Sequence, residues 1–206
     1  NNRFTYAELG SDPNHSHVIY DAFTEDAERG FFDLKPTQEQ VDLYRDLLLK
    51  AISCNGERNL IISGEKMSSM HPAALLRLRT FLVEHFSQIR VVGYVRTPAS
   101  YIASAFQQRL KNRSPTFEPL RLYRSYKETF KKFDDIFGEE NVSLFKFDPK
   151  ILLNHCAVSD FCNRVGIDLP ADRIRNENES MSRQFVGLLY VYRKFAPEQA
   201  ITLQLN

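Results

Sequence analysis

Three short runs of apolar, mostly β-branched residues interrupt an otherwise amphipathic chain: 59–63 (NLIIS), 89–95 (IRVVGYV) and 141–147 (NVSLFKF). Each is bounded by polar or turn-forming residues and predicts a strand, and the run at 89–95 predicts one buried on both faces. Elsewhere the apolar residues recur every three or four positions. Pro36 and Thr37 introduce a helix with Val41, Tyr44, Leu47, Leu48, Ala51 and Ile52 along one stripe and Gln38, Glu39, Asp42, Arg45 and Asp46 mostly opposite; Asn55 and Gly56 close it. Further helices are expected from His71 and Pro72 onward, from Pro98 through Leu110, over 119–137 with Leu122, Tyr126, Phe130, Phe133 and Phe137 inward, over 158–165 and over 185–195. The polar opening segment, 1–33, predicts loop with one short helix near 18–23.

Strand, turn and helix in alternation predict parallel β-α-β units with right-handed crossovers, hence an α/β protein. Ligands in such sheets bind beyond the carboxyl ends of the strands. Two turns fall on that edge, 63–66 and 96–98.

In the second turn, Thr97 is placed to cap a helix and Pro98 suits its first position, where a missing N–H costs nothing. Tyr101, Ile102, Ala105, Phe106 and Leu110 give the helix its apolar face. A helix N-terminus carries unpaired N–H groups and partial positive charge, and Arg96 beside it adds a planar fork of donors suited to phosphate. Ser104, eight residues after Arg96 and one turn beyond Ser100, offers a hydroxyl from the same face. The competing reading makes Arg96 a surface ion pair and Ser104 a packing residue.

The first turn reads Ser63, Gly64, Glu65, Lys66. It lacks the first glycine and the spacing of a Walker sequence. Glu65 at a strand end is a candidate general base for a hydroxyl nucleophile; as a structural group it would cap the following helix or pair with Lys66. Lys66 is an alternative cation for a leaving phosphate, and His71 an alternative base, although a histidine before Pro72 also suits the start of a helix. His15 and His17 stand two apart as a metal pair would, but two further ligands at convincing spacing are absent, which favours loop histidines.

The 206 residues, 43% hydrophobic and 26% charged, bound an ordinary globular chain with room for one sizeable core, read as a single domain over 1–206. The net charge of +1 supplies no global field for nucleic acid, so any anion site is local. Cys54, Cys156 and Cys162 are odd in number and lack C-x-x-C spacing, which fits reduced thiols and a cytoplasmic location. No apolar run approaches the roughly 18 residues of a membrane span. Asn178-x-Ser180 has the form of a glycosylation acceptor, which that thiol usage does not favour. Arg109, Lys111 and Arg113 form a basic cluster, either a loop over an anionic ligand or a solvated helix end.

The stretch VVGYVRTPASYIASAF resembles the 3′-phosphate-binding segment of sulfotransferases that use 3′-phosphoadenosine 5′-phosphosulfate (PAPS): an arginine closing a strand, a proline two residues on, a serine eight residues after the arginine. Arg96, Pro98 and Ser104 fill those places. The resemblance implies that Arg96 and Ser104 hold the 3′-phosphate of PAPS. Ser63 and Glu65 are similar to the Ser-x-Glu of bacterial and carbohydrate members and imply Glu65 as base. Phe161, Gly166 and Ile167, and Asn178 with Ser180, match scaffold positions, so the likeness spans roughly 60–195. It implies a three-layer α/β/α fold with a short parallel sheet, P-loop NTPase/sulfotransferase-like, with a nucleotide donor, a hydroxyl acceptor on a saccharide or glycan, and no metal.

The family's lysine-containing loop for the 5′-phosphosulfate does not precede Phe4; it is expected in an N-terminal part outside this sequence, or is lost together with the activity. The Arg-Lys-Gly loop of the small-phenol enzymes has no counterpart, since Phe195 follows Arg193 and Lys194. Two alternatives stand beside the sulfotransferase: a nucleotide-dependent kinase or glycosyltransferase using the same phosphate site, and a non-catalytic nucleotide-binding scaffold.

Overall fold

A computed structural model describes residues 3–11, 14–31, 33–112, 114, 116–174 and 181–196. Arg113 and the Asn178-x-Ser180 pattern lie outside the described residues. The chain forms two compact units: one of Asn1–Gly93, Ser125–Phe145 and Cys162–Asp168, the other of Tyr94–Arg124, Lys146–Phe161 and Leu169–Asn206.

The first unit opens with strand β1 (Phe4–Tyr6), which pairs in parallel with β2 (Asn59–Ile61), Phe4 opposite Asn59 and Tyr6 opposite Ile61. Parallel strands need a long crossover, and here helices α1 (Ser16–Phe23) and α2 (Gln38–Ser53) supply it. The polar composition of 1–33 gave no hint of β1, because three residues are too few for alternation to show. Helices α3 (Pro72–Val83) and α6 (Tyr126–Phe137) complete the unit. Its core is continuous: Ile19, Tyr20 and Phe23 of α1, Leu48 of α2, Leu75, Leu78 and Leu82 of α3, and Phe133 and Phe137 of α6 are all buried.

Caps set these helix boundaries. The Thr37 hydroxyl accepts the Gln40 N–H at 3.2 Å while Gln40 Oε1 accepts the Thr37 N–H at 2.8 Å, a reciprocal box that starts α2. At the start of α3, His71 Nδ1 accepts the Ala73 N–H at 3.3 Å, so His71 is a cap. The helix expected over 119–137 is two, α5 (Pro119–Leu122) and α6. Tyr123 is extended, and Ser125, three residues before Glu128, caps a new helix.

The carboxyl end of α1 is closed by arginines. Its last carbonyls have no partner inside the helix. Arg29 Nη2 donates to Thr24 O at 2.9 Å and to Asp21 O at 3.4 Å, Arg45 Nε to Ala22 O at 3.0 Å, and Arg77 Nε to Phe23 O at 2.9 Å. The Arg29 side chain is itself enclosed and held by Asp21 at 2.6 Å.

Strand β3 (Val91–Val95) pairs with β4 (Val142–Lys146). Its residues are half-buried, not covered on both faces as expected, because it has one strand neighbour among the described residues. In the second unit, α4 (Pro98–Lys111) carries Phe106 against Phe117 and against Tyr190 of α8 (Arg183–Phe195), with centroids 4.6 and 5.8 Å apart. Helix α7 (Ala157–Val165) presents a buried Asp160, whose carboxylate accepts the Tyr94 hydroxyl at 2.7 Å and the Leu153 N–H at 3.2 Å. The architecture is α/β with short parallel pairing, as the strand–helix alternation predicts. No described helix is long and apolar enough to cross a membrane.

Candidate functional site

The candidate residues divide between the units, Glu65 in the first and Arg96 with Ser104 in the second.

The turn carrying Glu65 is bolted to the start of α1. His15 N–H donates to Ser63 O at 3.0 Å, Ser63 N–H donates to His15 Nδ1 at 3.0 Å, and Lys66 N–H donates to the Ser16 hydroxyl at 3.1 Å. Gly64 makes this closeness possible: a Cβ there would stand 2.9 Å from Ser16 N and 3.0 Å from Ser16 Cα, and neither backbone atom can move aside. His15 is therefore a buried structural acceptor, while His17 is exposed. The expectation of loop histidines is corrected: His15 stands at the start of α1 and His17 lies inside the helix, one buried and the other exposed.

Glu65 begins a 3-10 turn (Glu65–Ser69) and is exposed. Its backbone carbonyl accepts the Ser68 hydroxyl at 2.8 Å, and among the described residues its carboxylate has neither an ion pair nor a hydrogen bond. Lys66 does not pair with it. The ammonium instead meets Asp33 Oδ1 at 2.9 Å and lies 3.9 Å from the centre of the Tyr20 ring. Asp33 also accepts the Tyr20 hydroxyl at 2.8 Å and the Gly30 N–H at 2.9 Å. Burial works to raise the Asp33 carboxyl, but the hydrogen bonds from Lys66, Tyr20 and Gly30 prevail and hold it below the usual carboxylate value. Burial, then the bond to Asp33 and its charge, push the Tyr20 phenol up to about 12. The lysine considered as an electrophilic cation is thus committed to a half-buried carboxylate, and the glutamate beside it is left facing solvent. Asp33 and Tyr20 were not legible as its partners, because they lie 33 residues or more away in sequence.

The second turn follows β3 directly. Thr97 caps α4, its hydroxyl accepting the Ser100 N–H at 3.4 Å, with Pro98 in the first helical position. The cap and the proline account for two of the first amide positions, so the helix end offers fewer donors than an uncapped one. Ser100 and Ser104, four residues apart, are both exposed and lie on one face of α4. Arg96 is half-buried, and its guanidinium carbon lies 4.1 Å from the centre of the Phe147 ring. Phe147 belongs to none of the motifs in the sequence. The available signal was an aromatic closing one strand run at 147 beside an arginine closing the other at 96.

Arg109 and Lys111 of the basic cluster sit in the last turn of α4, where cations suit the negative end of the helix dipole. Exposure and hydrogen bonding thus separate an exposed carboxylate on a turn tied to α1 from an aromatic-backed arginine at a helix start. The first arrangement can take a proton, the second can bind an oxyanion.

No family model matches the chain, and no curated protein matches it. Among solved structures, the chain is similar to the crystal structure of sulfotransferase from Alicyclobacillus acidocaldarius, with 16% sequence identity, coverage of 93% of this chain and 83% of that chain, and a TM-score of 0.49.

Proposed function

We propose that this chain belongs to a sulfotransferase that moves a sulfuryl group from PAPS to a hydroxyl of a saccharide or glycan. The observation that carries the reading is the second turn: Arg96 lies over Phe147 at the start of the Thr97-capped helix, and Ser104 is exposed two turns further along it. These residues fit a 3′-phosphate. The arginine supplies paired N–H donors in one plane, and the serines supply hydroxyls on one helix face. When bound, PAPS supplies an activated S–O bond whose cleavage leaves adenosine 3′,5′-bisphosphate. Arg96 and Ser104 hold the nucleotide's 3′-phosphate, while the exposed carboxylate of Glu65 takes the proton released as the acceptor hydroxyl oxygen bonds to sulfur.

Calorimetry on the full-length protein tests this directly. Adenosine 3′,5′-bisphosphate is expected to bind more tightly than adenosine 5′-monophosphate. Arg96→Ala should weaken the bisphosphate by roughly tenfold to a hundredfold, the size of a charge-assisted hydrogen-bond pair, and leave the monophosphate unchanged. Glu65→Gln should keep bisphosphate affinity while transfer of radiolabelled sulfate from PAPS to a saccharide panel is lost. Preference for a nucleoside triphosphate or nucleotide sugar would instead indicate the kinase or glycosyltransferase. Bisphosphate binding without transfer would indicate a scaffold.

A further inference from the structure

We propose that Phe147 is a positioning residue for the anion site, a ring that fixes the Arg96 guanidinium so that its edge is presented to a 3′-phosphate. The inference rests on the role proposed for Arg96 and adds a residue that the motif around Arg96 does not contain.

The geometry has three parts. First, the Arg96 guanidinium carbon lies 4.1 Å from the ring centre, well inside the distance at which a cation is attracted by an aromatic face. A guanidinium is flat, so contact through a face leaves its N–H groups pointing outward in their own plane, the arrangement that grips two oxygens at once. Second, the ring is held from its backbone. Phe147 N–H donates to Val95 O at 2.9 Å, continuing the β3–β4 pairing by one residue and setting Phe147 beside the residue before Arg96. Third, the turn after Phe147 is closed on itself. Asp148 accepts the Lys150 N–H at 3.1 Å and pairs with Lys146 at 2.8 Å, and its carbonyl accepts the Ile151 and Leu152 N–H groups at 2.9 and 3.2 Å. Hydrogen bonds to Lys146 and Lys150, outweighing burial, hold the Asp148 carboxyl below its usual value, so the acid next to the ring is engaged with its own neighbours.

The consequence is entropic. Arginine has several rotatable bonds, and ordering such a side chain on binding costs conformational entropy. A ring that orders the guanidinium beforehand removes part of that cost. The benefit reaches only ligands that Arg96 contacts, so Phe147 should matter for the bisphosphate and not for the 5′-monophosphate.

The test varies the ring's electrons and leaves its shape almost untouched. Phe147 is replaced in the full-length protein by phenylalanines carrying one, two and three ring fluorines, which progressively weaken the attraction for a cation. Affinity for adenosine 3′,5′-bisphosphate is expected to fall stepwise, by about threefold to tenfold across the series, with adenosine 5′-monophosphate unchanged. Phe147→Leu should lose a similar factor and Phe147→Tyr should retain wild-type affinity, with thermal melts reporting that each variant is folded. Arg96→Ala is measured alongside. If Arg96→Ala weakens the bisphosphate while the fluorinated series is flat or tightens binding, the positioning role is wrong and the phosphate site stands. If Arg96→Ala has no effect, the phosphate site and the positioning role fall together.

Discussion

At Asp33 burial and pairing oppose each other. Its carboxyl lies below its ordinary value because the bonds from Lys66, Tyr20 and Gly30 outweigh burial. A carboxyl with a lowered folded value contributes stability that is present above about pH 4 and is lost as pH falls through the folded value, since the unfolded chain takes up the proton first. Urea midpoints measured from pH 7 to pH 3 should therefore decline less steeply in Asp33→Asn than in the wild type. Tyr20 works with the opposite sign. Its phenol is raised to about 12, so its contribution is intact below about pH 10 and fades as pH climbs towards the folded value. Tyr20→Phe should flatten the alkaline limb and, by removing one of the bonds that lower Asp33, make the acid limb shallower as well. Neither effect was visible in the sequence, where Tyr20 and Asp33 stand 13 residues apart and Lys66 a further 33 residues on; only their meeting in the fold couples them. Arg96, Pro98, Ser104 and Glu65 were legible because each belongs to a local pattern.

At the scale of elements, periodicity and caps were the readable signals. Thr37, His71 and Thr97 each stand immediately before a helix and each accepts an N–H from its first turn. The error over 119–137 came from following apolar spacing across Ser125, whose hydroxyl competes for the backbone and starts a new helix. The closing of α1 was not readable, since its acceptors meet donors from other segments. Arg29 is the most enclosed of the three arginines that serve it, with a side chain 3% exposed. Arg29→Ala should leave the Asp21 carboxylate and the Thr24 carbonyl unpaired in a buried setting and destabilise the protein by about 3 kcal/mol in urea unfolding. Arg29→Lys should recover only part of that loss, because one ammonium cannot serve Asp21 and two carbonyls in the same fork.

For the molecule as a whole, the α/β class followed from the alternation of strand and helix, while the division into two compact units did not. Gly93 and Tyr94 are adjacent residues of one strand, yet they fall in different units. A hydropathy pattern registers what each residue prefers and carries no record of which distant segment it will meet. The arginine closure of α1 has a bearing on the order in which the chain folds. Ala22 waits for an arginine 23 residues on, and Phe23 for one 54 residues on. Closing such loops costs more chain entropy than forming a local helix, so these bonds are expected to form after the rate-limiting barrier. Arg77→Ala should accordingly speed unfolding in stopped-flow experiments and leave the refolding limb nearly unchanged. The bonds that end this helix then act as a latch: they add little to how fast the native state is reached and much to how long it lasts.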